Sequence, residues 1–276
     1  MIKRKKPVIL FKYGGNAMTD DELKKQVLEH MCSLTKKGYH VVIVHGGGPF
    51  IKDILGKVGV ESEFIDGHRK TTPEALKYVE MALKGEVNGS LVSLVNRLGY
   101  QAVGLSGKDG KMAIATKRLH RKMVDGKWKS FDLGQVGDVE HINPQLPEQL
   151  LNEGYIPVVT CIASDEEGND YNINADMFAG HLAGALHAEQ YIVLTDVDGL
   201  RMDKDKPETL IDKLHVAEIP SLVEAGVIQG GMLPKMDACR IALADGAGSA
   251  RIINGTQPEQ ISDLIGKNPV GTTIIK

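Results

Sequence analysis

Apolar residues arrive along this chain in short, sharply bounded runs. Residues 7–11, 41–44, 156–161 and 191–194 are mostly apolar and rich in Val, Ile and Leu. They read as strands buried on both faces, as in a parallel sheet covered by helices. Between them the spacing changes to the helical period. Leu23, Val27, Met31 and Leu34 share one face of a helix over 20–37 that stops at Gly38, and residues 50, 51, 54 and 55 share one face of a helix over 49–55. Further helices are predicted at 73–98, broken near 85–89, at 144–152, beyond Asp176 with Phe178, Ala179, Leu182 and Leu186 on one side, at 216–225 and at 234–244. Residues 64–72 read as a short extended segment, and 101–105, 249–253 and 272–275 as strands. Alternation over 111–139 about Asp125-Gly126, and a second turn at Glu167-Gly168-Asn169, predict two β-hairpins. Residues 7–44 make a βαβ unit, and strand–helix alternation runs from end to end without a repeat or a linker.

The runs end in glycine. His45-Gly46-Gly47-Gly48-Pro49 follows the second strand, and Lys12-Tyr13-Gly14-Gly15 the first. Residues without a Cβ can take φ > 0 and let backbone N–H groups crowd against a ligand. The helix after Pro49 would aim its positive end at the same guest, so an anion, phosphate above all, suits the place; a plain tight turn is the competing reading. Neither a dinucleotide fingerprint, which would need glycine at Ile51, nor a G-x-x-x-x-G-K-[ST] loop is present. In a parallel sheet the strand ends share one edge, where ligands bind, so the glycines at 14–15, 46–48 and 199 should gather there with Lys12, unless that lysine only snorkels out. Asn174 and Asp176 fit an N-cap and a first-turn carboxylate as well as they fit a site. Lys235 opposes the dipole of the helix opened by Pro234, which favours a ligand over a local motive. Arg69 lies in a loop, and its planar fork suits a carboxylate as well as it suits solvent. His181 and His187 read as ordinary helix residues.

Composition narrows the choice. A length of 276 residues allows one large α/β domain or two lobes, and 42% hydrophobic with 25% charged residues is ordinary for a globular chain. A formal net charge of -3 argues against nucleic acid as the main partner, so cations for an anionic ligand must be local. Cys32, Cys161 and Cys239 form no metal or disulfide spacing, in keeping with a cytoplasmic location. The basic tetrad at 3–6 has too short an apolar run behind it to be an export signal or a membrane span.

Six motifs, in order, carry a resemblance: Lys12-Tyr-Gly-Gly15, His45-Gly-Gly-Gly-Pro49, Asp66-Gly-His-Arg69, Asn172-Ile-Asn-Ala-Asp176, Thr195-Asp-Val-Asp-Gly-Leu200 and Gly230-Gly-Met-Leu-Pro-Lys235. Together they resemble the amino-acid kinase family, within it the branch acting on N-acetyl-L-glutamate. The resemblance implies a three-layer αβα sandwich with a central, mostly parallel, carbamate-kinase-like sheet. It also implies an acidic-substrate lobe over 1–178 that forms a homodimer, and a nucleotide lobe over 179–276. The implied reaction passes the γ-phosphoryl group of ATP to the side-chain carboxylate of N-acetyl-L-glutamate, on the route to arginine.

By the same resemblance Lys12 and Lys235 flank the transferring group, Asp176 holds both, and Gly15 and Gly47 donate N–H groups to it. Gly47, Gly48, Arg69, Asn172 and Asn174 would hold the acceptor. Thr195, Asp196, Val197, Asp198, Gly199, Leu200 and Arg201, with Val227, Ile228 and Gln229, would line the nucleotide site. Mg²⁺ would ride on the phosphates without a protein ligand. Gln135 and Lys70 depart from the usual pattern on the acceptor side, which leaves a carrier-linked aminoadipate or glutamate open as acceptor; a nucleotide sensor without turnover is the non-enzymatic alternative. Arginine-inhibited members share an extra helix before the first strand, where this chain has six residues, so an arginine-insensitive homodimer is expected.

Overall fold

The computed structural model describes residues 6–65, 68–124, 126–266 and 270–276. Most of the basic tetrad, Asp66-Gly67 of one motif and Asp125 of the first hairpin turn lie outside the described residues. Six consecutive buried residues form β1 (Val8–Tyr13), and α1 (Asp21–Ser33) carries the chain to β2 (His40–His45), parallel to β1. The Asp20 side chain accepts from the Leu23 N–H to start α1, and Gly38, at φ 96°, ends its short 3₁₀ extension. After the glycines come α2 (Gly48–Lys57), the small ladder β3 (Phe64–Ile65) with β4 (His68–Arg69), and α3 (Pro73–Glu80).

The predicted break near 85–89 is not a break. A π segment (Met81–Asn88) joins α3 to α4 (Gly89–Arg97) without leaving the helical path. Residues before it pack into the core on one face of the sheet, and Val87, Leu91 and Val95 into the core on the other.

β5 (Ala102–Ser106) follows, then the long hairpin β6 (Ala113–Val124) and β7 (Lys127–Ile142), α5 (Gln145–Asn152) and β8 (Ile156–Thr160). The second predicted hairpin is β9 (Ile162–Ser164) with β10 (Asp170–Ile173). The two hairpins close on each other into a small barrel, β10-β7-β6-β9. The rest is α6 (Ala175–Ala185), β11 (Gln190–Thr195), β12 (Lys213–His215), α7 (Ile219–Glu224), α8 (Met232–Asp245), β13 (Ser249–Asn254), α9 (Glu259–Asp263) and β14 (Thr272–Ile275).

One eight-stranded sheet runs β12-β14-β13-β11-β1-β2-β8-β5, all parallel except that β14 and β12 run the other way. Side chains alternate across it. Val8, Leu10, Val42 and Val44 face the core built with α2, α3, α6 and α8, while Ile9, Phe11, Val41 and Ile43 face the core built with α1, α4 and α9. That is the expected three-layer αβα sandwich. The parallel strands deliver the carboxyl ends of β1, β2 and β11 side by side at one edge.

Candidate active site

Alternation puts Lys12 on the same face of β1 as Val8 and Leu10, the face covered by α6 and α8. Those two helices lie unusually close. A Cβ on Gly180 would sit 2.6 Å from the Ala238 carbonyl oxygen, and one on Gly184 would sit 2.3 Å from the Cβ of Asp245. The pairings 180 with 238 and 184 with 245 mean that the helices run in the same sense, so their N-terminal ends meet. Asp176 stands in the first turn of one and Lys235 is the fourth residue of the other, for α8 opens at Met232 rather than at Pro234.

The result is a charged triangle. Lys12 Nζ lies 3.2 Å from Asp176 Oδ1, and Lys235 Nζ lies 3.4 Å from both Asp176 oxygens. Asp176 is 7% exposed and Lys12 8%. Burial alone would raise the Asp176 carboxyl, but the two ammonium groups outweigh it and hold the acid below its ordinary range. Burial, with repulsion from Lys12, pulls Lys235 below the ordinary lysine value, while Asp176 and Asp196 pull it back. Two cations and one anion in so dry a place leave a net positive charge awaiting an anion.

Two chambers adjoin the triangle and share Lys12, Gly14 and Gly15. One, of about 220 Å³, is bounded by the glycines 46–48, Asn172, Asn174 and Asp176. The other, of about 250 Å³, is bounded by Thr195, Asp196, Lys235 and Thr256. Lys12 borders both chambers, and Lys235 borders the second.

The glycine loop does not work as the sequence suggested. None of Gly46, Gly47 and Gly48 lies in the left-handed region; Gly15 does, at φ 75°. Gly47 is extended, at φ 174°, and its missing Cβ is what the fold needs, because a methyl there would lie 2.7 Å from Leu83 Cδ2 and 3.3 Å from Val87 Cγ2 of the π segment. Close packing, rather than a left-handed backbone, fixes glycine at that position.

Asn174 serves as the helix cap, accepting from the N–H groups of Asp176 at 2.9 Å and Met177 at 3.2 Å, while it also bounds the first chamber. The cap reading is the one its hydrogen bonds show. Asn172 bounds the same chamber and reaches Thr71 Oγ1 at 3.4 Å. Arg69 bounds neither chamber: its guanidinium lies 4.5 Å over the Phe64 ring and donates to Ser62. Of the predicted nucleotide residues, Thr195 and Asp196 bound the second chamber. Asp198 accepts instead from Arg201, Asn254 and Gln257, and Gly199 and Leu200 pack against Thr272. Val197 is exposed, Ile228 is buried among core residues with Val227 beside it, and the Gln229 carbonyl accepts from the Met232 N–H. Thr256 was not anticipated, although it follows the carboxyl end of β13 at the same edge, the rule that located the glycines. Cys161, at the first chamber's wall, is buried, which raises its thiol to about 11.

Comparison with known proteins agrees with this architecture. Residues 7–254 match the Amino acid kinase family. An acetylglutamate kinase from Pelotomaculum thermopropionicum is 44% identical over 97% of this chain and 92% of its own. Another, from Moorella thermoacetica, is 44% identical over 97% and 90%. A carbamate kinase from Giardia lamblia bound to AMP-PNP superposes with a TM-score of 0.68 at 18% identity over 99% of each chain, a likeness of fold. With a match this long and relatives this similar, the chain belongs to the amino acid kinase family.

Proposed function

We propose that this protein transfers the γ-phosphoryl group of ATP to the side-chain carboxylate of N-acetyl-L-glutamate, giving an acyl phosphate for arginine biosynthesis. The observation that carries the reading is the pair of chambers joined at Lys12, with Lys235 on one side, the glycines on the other and Asp176 tying both amines together. The relatives named acetylglutamate kinase supply the acceptor.

The chemistry sets the demands. A carboxylate acceptor is already a nucleophile and needs no base. What opposes the reaction is charge: two unit charges 4 Å apart repel by about 4 kcal/mol at an effective dielectric near 20. Lys12 and Lys235 offset that repulsion from the acceptor and nucleotide sides, and their shared carboxylate keeps each in place before substrate arrives, so little reorganisation remains for the transition state. Gly15 and Gly47 offer N–H groups to the phosphoryl oxygens.

The acceptor is assigned to residues 1–178, with Gly47, Gly48, Asn172 and Asn174 beside it. Arg69 would have to swing from Phe64 to reach its α-carboxylate. ATP is assigned to 179–276, beside Thr195 and Asp196. The oxygen atoms of those two residues fit a hydrated hard cation such as Mg²⁺, which would supply further positive charge beside the nucleotide. A cytoplasmic homodimer completes the reading.

Hydroxylamine trapping tests the reaction. ATP, Mg²⁺ and the protein should yield a hydroxamate from N-acetylglutamate in preference to glutamate, aspartate, aminoadipate or carbamate. Preference for another acceptor would reassign the substrate, and no hydroxamate from any would remove the kinase reading.

A further inference from the structure

His45 precedes the three glycines, is fully buried, and takes no part in the chemistry above. Its ring is nevertheless held from both ends. The Nδ1 lies 2.9 Å from the Gly46 carbonyl oxygen, and the Nε2 lies 2.9 Å from Asn88 Nδ2. The same Asn88 nitrogen lies 2.9 Å from the Val158 carbonyl oxygen, which can only accept, so that end of the amide is the nitrogen. An amide nitrogen can only donate, so Nε2 accepts and the proton must sit on Nδ1, donated to Gly46. Asn88 is itself fixed: its Oδ1 occupies the space over Gly104, 2.1 Å from where a Cβ would be. Asn88 is the last residue of the π segment whose Leu83 and Val87 press on Gly47.

A peptide unit is planar and trans, so the Gly46 carbonyl and the Gly47 N–H point in opposite directions. Fixing the one aims the other. The Gly46 N–H goes to the Tyr13 carbonyl, and the Gly47 carbonyl accepts from Ile51. That leaves the Gly47 N–H for the chamber. The need for a lock follows from the sequence: with glycine on both sides of this peptide, no Cβ resists a flip that would turn the carbonyl oxygen toward the phosphoryl group.

We propose that His45, locked by Asn88, is a positioning residue that keeps the Gly46–Gly47 peptide turned so that the Gly47 N–H faces the transferring phosphoryl group. The proposal rests on the kinase reading above. It assigns to the buried pair a contribution felt in the transition state and hardly in substrate binding.

Kinetics of His45→Leu, His45→Gln and Asn88→Leu test it, each with a melting curve. His45→Leu should lower kcat about tenfold or more, in the manner of one misplaced oxyanion donor, with KM for ATP and acceptor within about threefold. His45→Gln, which can still donate to Gly46, should recover most of that loss. Asn88→Leu frees the ring without removing it and should cost less than His45→Leu; it also serves if His45→Leu does not fold. Binding of MgADP alone should be unchanged in all three, while MgADP with aluminium fluoride and acceptor should bind more weakly to the two leucine variants. A folded leucine variant with wild-type kcat, or a kcat loss matched by KM and not relieved by glutamine, overturns the proposal. In [¹⁵N]glycine-labelled protein, the Gly47 amide should give one signal in the wild type and two in His45→Leu. That readout stands whichever acceptor the enzyme uses, so a wild type inactive in the trapping assay would count against the reaction and not against the lock; a single unchanged signal in both would count against the lock.

Discussion

Two loops leave β2 and β11, the strands on either side of β1, at the same sheet edge and are held in opposite ways. The loop after β2 offers bare backbone, and everything that steadies it lies behind: Leu83 and Val87 against Gly47, His45 under the Gly46 carbonyl, Asn88 under His45. The loop after β11 is steadied by polar side chains at its own level, Asp198 accepting from Arg201 of the same loop and from Asn254 and Gln257 at and beyond the end of β13. A surface that must present N–H groups to a phosphoryl group cannot spare room for side chains, so its support has to be buried. A surface that lies alongside a larger ligand can carry polar side chains, whose mutual bonds are partly solvated and individually weak.

The comparison can be broken first at the lysines that lie between the loops. Lys12→Ala and Lys235→Ala should each lower kcat by about a hundredfold or more, the loss expected of one transition-state donor; near wild-type turnover in either would remove its role. On the first loop, Gly47→Ala should cost about tenfold or more in kcat through a displaced N–H. Leu83→Ala in the same chain should restore part of it, since the clash is with that side chain; absence of any rescue would mean that the glycine answers to something else.

The buried support also sets a pH dependence. Burial pushes the His45 imidazole down to about 4, from 6.5. The unfolded chain therefore binds this proton over a range where the folded chain does not. Stability is full above pH 6.5, falls as pH drops toward 4 by on the order of 3 kcal/mol in all, and is flat in this respect below that. His45→Gln should remove that window from denaturation midpoints measured between pH 7 and 4. The second loop should show the mildest effect: Asp198→Ala, removing solvated hydrogen bonds, should raise KM for ATP about threefold and lower the melting temperature by a few degrees. An effect as large as that of Gly47→Ala would erase the distinction between the loops.

What could be read from the sequence follows the same division. Lys12 was legible because it sits near the end of a buried strand, and ends of parallel strands share an edge by necessity; Asp176 and Lys235 were singled out with it by the ordered motifs, since a first-turn carboxylate reads equally as a helix cap. The stretch from 73 to 97 was legible as helical but read with a break near 85–89; nothing in the residues around Gly85 announces a π turn, because that turn answers to the packing of Leu83, Val87 and Asn88 on a distant loop. The hairpins were legible from alternation and turn residues. Their closure into a barrel was not, since it depends on pairings such as Ile114 with Ser164 between segments 50 residues apart in sequence. Arg69 shows the limit most clearly: its residue type suits a carboxylate, and only the position of Phe64 tells where it rests.

The last strand has a consequence for how the protein comes into being. β14 lies between β13 and β12 and is the neighbour to which β12 pairs, and Thr272 Oγ1 accepts the Leu200 N–H while filling the space over Gly199. A growing polypeptide therefore cannot finish the loop after β11 until residues 272–275 have left the ribosome. Chains ended before residue 272 would keep the glycine cradle yet leave the Leu200 N–H without that partner and the space over Gly199 unfilled.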